Sequence, residues 1–416
     1  MRAWRTSWFV LATLTVAGQG HAEQSRFLAP LRGAPDVPGF GSNLDAMEAM
    51  LARTSVRAFN PARAISDGEL RQIMDAGHRT QTLDGSRPFE FVQIRDRQTL
   101  KAIGASGKFA NWMAEAPAAI AIVVRTPDSP RFFRENGAIA MLNMTYKAQQ
   151  LGLGTCFLGT RNNRKMKEVL NIGKNRHLLT VIPVGAPKEG TALKSPKRHP
   201  VEWTVSQGSY GSPLKLLGSE AKPAARTGRP MASHLSGEHQ RVEEFHNRPV
   251  EASKLATALE AMRHAPSSKN KQHWRWVLVT EPKAKQQVAR AAGDNKLAGA
   301  PVVAVLAGSQ DSRPFINPKG WGRRRMSPNF INHGAAMALR NFQIGLESQG
   351  LGLRVKGIGQ RADRRLRNVL APAGQQLSGK RVHFIAAVGL GYSRRATQSR
   401  VAPIPGSRII KERYGR

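Results

Sequence analysis

The first stretch of the chain with regular apolar spacing predicts two helices. Between Asp45 and Arg53, apolar residues recur at helical intervals, and Ser42 or Asn43 is available as the N-cap. The same spacing predicts a second helix over Asp67–His78. Both patterns place apolar residues on one face only, so we expect both helices to pack against a core.

Apolar runs without helical spacing predict strands in the stretch that follows. They are Phe89–Ile94, Ala118–Val124 and Leu179–Val184. Ala118–Val124 is apolar at every position, which indicates a central strand that is buried on both faces. A long helix is predicted over Asn136–Leu151, because a glycine stop follows at Gly152.

The same series of elements occurs a second time. A shift of 198 positions relates the long helix and its glycine-rich turn to a later segment. The matching residues are Ala138 and Ala336, Asn143 and Asn341, and the Gly-Leu-Gly turns at 152–154 and 350–352. Ala-Pro followed by an apolar run also occurs in both parts, at 116–117 and at 300–301. Because order and spacing agree, we interpret the chain as two diverged copies of one unit.

The repeat sets the expected organisation of the chain. Copy one is predicted at 45–205 and copy two at 241–400, after an N-terminal segment at 23–44. The region 206–240 is rich in Gly, Ser, Pro, Lys and Arg and lacks periodicity, so it is interpreted as a surface linker. Residues 401–416 form a basic tail.

The first residues have the pattern of an export signal. Arg2 and Arg5 precede a short apolar stretch, and small residues before Glu23 predict cleavage after Ala22. Residues 1–22 would then be a signal peptide, and the protein would be periplasmic or secreted. Because no acidic residue precedes Glu23, a mitochondrial transit segment remains an alternative, as does a buried first helix in a cytoplasmic protein.

The charge of the chain is strongly positive. Lys and Arg total 64 against 28 acids, a net charge of +36, which attracts anionic partners over a Debye length. The cations are spread along the sequence rather than interleaved with aromatics, so a solvated basic surface is favoured and no specific nucleic-acid partner is expected.

Several other site classes lack their usual sequence signals. The single cysteine, Cys156, excludes a disulfide scaffold and a thiolate-rich metal site. The histidines show no metal-ligand spacing, so no metal is expected. No apolar run approaches the roughly 20 residues of a membrane span, so no transmembrane segment is expected.

The first candidate binding group is basic. It comprises Arg53, Thr54, Ser55, Arg57, Lys197 and Arg198. Arg53, Ser55 and Arg57 alternate on a non-helical segment, so two guanidiniums and a hydroxyl can point the same way and hold a phosphate. The alternative is that these cations are ordinary solvated surface groups of a basic protein.

The second candidate group is polar and uncharged. Pro266, Ser267, Ser268 and Asn270 form a rigid turn that is suited to hydrogen bonding a heterocycle edge or hydroxyl groups. The same residue types dominate turns generally, so a plain helix-to-strand loop is the alternative.

These segments carry a family resemblance. ARTSVRAFNP at Ala52–Pro61 resembles the Arg-x-Ser-x-Arg motif of nitroreductase-family flavoproteins, and APSSKNKQHWRWVLV at Ala265–Val279 resembles their Pro-Ser-Ser-x-Asn-x-Gln-x-Trp segment. Both Gly-Leu-Gly turns and VGAPKE at 184–189 look like later landmarks. The resemblance implies an α+β fold of two nitroreductase-like domains, each a mixed, mainly antiparallel sheet flanked by helices, paired as an intramolecular pseudo-dimer.

The resemblance also implies a cofactor and a reaction. Members of the family bind FMN and work by a ping-pong cycle, in which NAD(P)H or another donor reduces the flavin and a small nitroaromatic, quinone or similar acceptor reoxidises it. The isoalloxazine carries the redox chemistry, so no catalytic side chain is required. By resemblance, the turn around Leu158 and Gly159 lies near the ring.

Each copy lacks the motif that the other retains. Where copy two should be basic it has Glu243 and Glu244, and where copy one should have the polar turn it has His78–Phe89. The family's usual homodimers take phosphate ligands from one subunit and the polar turn from the other. We therefore expect one composite FMN site, a dead mirror-related site and a monomeric molecule. The alternative is a degenerate, flavin-free binding or scaffold protein that uses its basic surface for polyanions or an anionic envelope.

Overall fold

The computed structural model covers most of the two predicted copies. It describes residues 40–415 except 107–110, 126, 128–130, 159–162, 192, 194, 218–220, 311–326 and 380. The predicted signal peptide at 1–22 lies outside the described residues. In the described residues, no helix combines the length and the apolar character that crossing a membrane requires.

Helices and strands alternate along the described chain. The helices are α1 (Ala46–Ala52), α2 (Asp67–His78), α3 (Arg97–Ala105), α4 (Phe133–Gln150), α5 (Asn163–Val169), α6 (Met231–His234), α7 (Ala252–Arg263), α8 (Pro282–Ala292), α9 (Pro328–Ser348) and α10 (Gln360–Val369). The strands are β1 (Phe89–Ile94), β2 (Ala118–Arg125), β3 (Gly154–Thr155), β4 (Arg176–Gly185), β5 (Val205–Gln207), β6 (Glu238–Phe245), β7 (Trp274–Val279), β8 (Val302–Ser309), β9 (Gly352–Gly357), β10 (Val382–Gly391), β11 (Ser393–Arg400) and β12 (Ile409–Lys411).

Ten of the described strands form two sheets with the same order, and β6 and β11 pair as a separate antiparallel ribbon. The first sheet runs β12-β1-β2-β4-β3 and the second runs β5-β7-β8-β10-β9. The central pairs of both sheets are antiparallel, while β12 and β5 pair with their neighbours in parallel. Helices flank both sheets, so the predicted α+β class with two mixed, mainly antiparallel sheets is confirmed.

Each sheet takes one of its two edge strands from the far part of the chain. Phe91 of β1 pairs with Ile409 of β12, and Trp276 of β7 pairs with Val205 of β5. The predicted basic tail at 401–416 therefore contains a strand of the first sheet. The predicted linker at 206–240 begins within β5, contains α6 and ends within β6. The two halves are interlocked through these exchanged strands.

The predicted elements of the first copy form, with small changes at their ends. α2 and β1 have the predicted bounds, while α4 begins three residues earlier than predicted because Phe133 to Glu135 join its first turn. The predicted N-cap of α1 is wrong. Asp45 caps that helix instead of Ser42 or Asn43, since its Oδ1 accepts from the Met47 amide at 2.8 Å and Glu48 completes a capping box.

The long helices α4 and α9 pack against each other and connect the halves. Most of their side chains are buried, so each is covered on nearly all sides. The Tyr146 hydroxyl donates to Asn341 Oδ1 at 2.6 Å, and the Arg340 Nε donates to Asn143 Oδ1 at 3.1 Å. The repeated asparagines of the two copies thus both accept hydrogen bonds across the interface between the halves.

Candidate functional site

The two candidate groups meet where the halves join. The Arg198 guanidinium donates from Nη1 to Asn270 Oδ1 at 2.9 Å and from Nη2 to the His264 carbonyl at 3.0 Å. In return, Asn270 Nδ2 donates to the Lys197 carbonyl at 2.7 Å. The basic end of copy one is therefore hydrogen bonded directly to the polar turn of copy two.

The polar turn has a constrained backbone. Lys269, Asn270 and Gln272 have φ values of 52°, 54° and 49°, in the left-handed region that few residues other than glycine and asparagine favour. Hydrogen bonds hold this shape. The Gln272 amide donates to Ser267 Oγ at 2.9 Å, and Gln272 Oε1 accepts from the His199 amide at 3.0 Å. Several left-handed residues in one turn are typical of a ligand-binding site.

The remaining residues of the turn are packed between helices. Pro266 is buried, while Ser267 and Ser268 are half-buried. Gly334 of α9 lies against Ser267, because a Cβ at position 334 would come within 3.3 Å of the Ser267 Cβ. The turn therefore packs against α9 through Ser267.

Arg53 lies at the end of α1 and is almost fully buried, with 5% of its surface exposed. Its Nε has no hydrogen-bond acceptor among the described residues. Burial lowers the pKa of Arg53, and Tyr146 and Cys156, which are close enough to interact electrostatically, oppose that effect. A buried guanidinium with an unsatisfied donor is a costly arrangement that an anionic ligand would relieve.

Arg198 lies close to Arg53 and shares its situation. Burial is the largest cause that lowers the pKa of Arg198 to about 9, and repulsion from Arg53 is the next. Its Nε likewise lacks an acceptor in the described part of the chain. One buried and one half-buried guanidinium that repel each other, each with an unsatisfied Nε, fit a bound group that carries negative charge, such as a phosphate.

Ser55 and Arg57 extend this basic surface. The buried Cys156 lies among Arg53, Ser55 and Arg57: Ser55 is hydrogen bonded to it, and both arginines interact with it electrostatically. Burial raises the pKa of the Cys156 thiol more than these neighbours lower it, so it stays protonated at neutral pH. The alternating residues of the first candidate group thus face the same region.

Three candidate residues contribute differently from what their side chains suggest. Thr54 is half-buried next to Arg53 in the sequence, and it interacts with other groups of the protein. Lys197 is exposed, and the structure uses its carbonyl, not its ammonium group, to hold Asn270. Leu158 is buried with its carbonyl accepting from Thr180 Oγ1 at 2.9 Å. Gly159 lies outside the described residues.

Sequence reasoning missed several supports of the site. His199 and Arg263 fix the basic end, since the Arg263 Nη1 donates to the His199 carbonyl at 3.1 Å. Tyr146 lies near both Arg53 and Arg198. Tyr146 lies one turn after Asn143 in the repeated helix, and that spacing could have predicted a position at the interface.

The acidic residues of copy two are neutralised by partners. Glu243 forms ion pairs with Lys296 and Arg354, and Glu244 pairs with Arg395. This part of copy two is an ion-pair network rather than a basic clamp. No group of three or more His, Cys, Asp or Glu side chains in the described ranges is placed to hold a metal ion.

Comparison with known proteins identifies the family. A family model described as "Putative TM nitroreductase" matches residues 45–297, which is more than half of the chain. A "Putative NADH dehydrogenase/NAD(P)H nitroreductase" of Archaeoglobus fulgidus is 26% identical over 153 residues, covering 35% of this chain and 87% of that protein. A protein of the same description from Methanothermobacter thermautotrophicus is 26% identical over 166 residues, covering 38% of this chain and 85% of that protein.

Two solved structures are among those to which the chain is similar. A "Putative NADH dehydrogenase/NAD(P)H nitroreductase" from Parabacteroides distasonis is 24% identical, with a TM-score of 0.35, and covers 38% of this chain and 94% of that chain. An "FMN-dependent Nitroreductase" from Clostridium difficile is 22% identical, with a TM-score of 0.32, and covers 34% of this chain and 87% of that chain.

Proposed function

The chain belongs to the family described as "Putative TM nitroreductase", and from that premise we propose that it is an FMN-dependent oxidoreductase with one composite cofactor site between its two halves. The observation that carries the proposal is the contact of Arg198 with Asn270, beside the buried and unsatisfied Arg53. This contact joins a group suited to a phosphate with a group suited to a neutral polar edge.

In this proposal, the residues divide the binding work. Arg53, Ser55 and Arg57, with Arg198, hold the phosphate by charge-assisted hydrogen bonds. The turn from Pro266 to Asn270 hydrogen bonds the ribityl chain or the edge of the ring system, and Leu158 supplies an apolar contact. Lys197 contributes its backbone carbonyl, which keeps Asn270 in its left-handed conformation.

The bound FMN would supply the redox chemistry, passing electrons from NAD(P)H or another donor to a nitroaromatic, quinone or similar small acceptor. The protein then needs no acid or base in the reaction. Its task is to bind the cofactor, to orient it and to exclude water through the packed interface of α4 and α9. We further propose that the pseudo-dimer is a monomer and that the protein is exported, with the physiological donor set by its compartment.

Flavin content and anaerobic reduction test the proposal. We expect the purified chain, reconstituted with FMN, to be yellow, to bleach under argon with NADPH or dithionite, and to recover its colour with a nitroaromatic or a quinone. Colourless protein that rejects FMN but binds heparin with a steep dependence on salt would instead support the flavin-free scaffold.

A further inference from the structure

The two halves meet at the candidate site, which is the first junction, and they meet again at a second junction. A different turn lies at the second junction. Gly334 packs against Ser267 at the candidate site, and the repeat relates position 334 to Asn136 by the shift of 198. Asn136 in turn accepts from the Leu83 amide at 2.9 Å and donates to Asp84 Oδ1 at 2.8 Å. The turn at Leu83 and Asp84 therefore takes, at the second junction, the place that the Ser267 turn has at the first.

The second junction is open. A cavity of about 1190 Å³ lies there, between Asp84, Phe132 and Glu135 of the first half and the segments 356–363 and 383–385 of the second. Small-molecule sites usually measure roughly 300–1000 Å³, so this cavity is large enough for a metabolite with bound water. Lys356, which lines it, corresponds to Leu158 under the same shift of 198.

The lining of the cavity carries four cations and three acids. Four cations face it, namely Arg131, Lys356, Arg361 and Arg365, and none of them forms an ion pair with another described residue. All three of its acids already have hydrogen-bond partners: Asp84 accepts from Asn136 and Ser86, Asp363 is held by Arg367 and the Phe384 amide, and Glu135 accepts from Asn332. The start of α10, at Gln360 and Arg361, also lines the cavity without a side-chain cap, and it adds a positive dipole end.

A hydrogen-bonded chain of side chains from both halves forms a polar wall of the cavity. His383 bonds from Nε2 to the side-chain oxygen of Asn332, and the Asn332 Nδ2 donates to Glu135 Oε1. Glu135 is 7% exposed, and burial raises the pKa of this carboxyl. Phe132, Ile358 and Phe384 supply apolar surface to the lining of the cavity.

We propose that this cavity binds a small organic oxyanion other than the flavin. Its phosphoryl or carboxylate head would lie against Arg361, Arg365 and the start of α10, and its polar end would bond to the Glu135 and Asn332 wall. The guanidiniums determine the class of ligand, because unpaired guanidiniums beside a helix start favour a multivalent anion. An acidic turn at Asp84 and a lysine at 356 replace the polar turn and the leucine of the first site, which disfavours a second flavin.

Isothermal titration calorimetry of the full-length protein with inorganic pyrophosphate and with citrate tests the proposal. We expect saturable binding of at least one probe at one equivalent per chain, and the better probe identifies the head group as phosphoryl or carboxylate. The double variant Arg361→Gln/Arg365→Gln should weaken binding by at least tenfold. Arg364→Gln is the matched control, since Arg364 is exposed on the same helix but does not line the cavity; binding should be unchanged.

The proposal is overturned if neither probe binds saturably, or if the double variant and the Arg364 control lose binding equally, which would indicate diffuse surface charge. The test is independent of the flavin site. Pyrophosphate binding is measured with FMN saturating and again with Arg53→Ala, and it should survive in both, whereas disappearance in either would place the anion in the flavin site and reject the second site.

Discussion

Arg198 donates a hydrogen bond of 2.9 Å to the side chain of Asn270, although 72 positions separate the two residues and the sequence repeat assigns them to different copies. A basic clamp and a polar turn can therefore serve one ligand within a single chain. In a homodimer, the same pairing would require two molecules and would occur twice. Here the other pairing is replaced by an ion-pair network around Glu243 and by the Asp84 turn.

Asn270→Gly should weaken FMN binding while leaving the fold intact. Glycine accepts the left-handed backbone at φ 54° without strain, so the variant loses only the side chain that bonds Arg198 and the Lys197 carbonyl. We expect the Kd for FMN, measured by quenching of flavin fluorescence, to rise by about tenfold or more, consistent with losing hydrogen bonds to a charged group. An unchanged Kd would exclude Asn270 from the site.

Arg53→Ala should weaken FMN binding by about ten- to a hundredfold, the range expected for a charge-assisted contact to phosphate. Arg53→Lys keeps the charge but loses the planar fork, so its loss should be intermediate. Because burial disfavours the charged form of Arg53, the apo protein should not lose stability in urea. Arg63→Ala is the control: Arg63 is exposed and pairs with Glu69, and it should bind FMN normally. Equal losses of FMN affinity in Arg53→Ala and Arg63→Ala would contradict a phosphate role for Arg53.

Tyr146→Phe should destabilise the interface between the halves. The variant removes the 2.6 Å hydrogen bond to Asn341 and leaves a buried acceptor unsatisfied, at a cost of about 1–3 kcal/mol. Urea unfolding of the apo protein measures this change, and the two halves should still unfold in one transition because β5 and β12 interlock them. Two separate transitions in the unmodified protein would show that the halves are independent.

Stability should fall as the solution is acidified from pH 7.5 to 5. Burial lowers the pKa of His199, His239 and His333 to about 4, so between their ordinary pKa near 6.5 and 4 the unfolded chain binds protons that the folded chain does not. Each histidine then contributes a loss of about 2 kcal/mol by pH 5. The raised pKa of Glu135 acts in the opposite direction and offsets part of the loss.

Urea midpoints at the two pH values check this prediction. His239→Gln should flatten the dependence, whereas His246→Gln, at an exposed position, should leave it unchanged. Equal midpoints at pH 7.5 and 5 in the unmodified protein would show that these histidines are accessible to protons when the chain is folded.

The local elements were predictable from the sequence, because they depend on short-range patterns. α2 and β1 have the predicted bounds, and the apolar run at 118–124 forms the central strand β2. The N-cap of α1 was mispredicted since any of several polar residues can cap a helix, and the Thr227 amide and hydroxyl, far along the chain, bind Asp45 as well.

Pairings between distant segments were not predictable. The exchange of β5 and β12 depends on which sheet edge each short strand reaches, and neither strand has a distinctive pattern of its own. Likewise, the roles of Lys197 and His199 depend on their backbone groups, which residue type does not reveal. The side-chain pattern did indicate which two segments carry polar chemistry, but their contact is a property of the fold.

The stoichiometry of FMN on the full-length chain tests the central claim most directly. Protein stripped of ligand is titrated with FMN, and bound flavin is counted against chain concentration for the unmodified protein, Arg53→Ala and Asn270→Gly. One composite site predicts one FMN per chain, and it predicts that either variant, though the changes lie in different halves, binds that same equivalent at least about tenfold more weakly. Two equivalents per chain, or one equivalent whose affinity neither substitution changes, would contradict it.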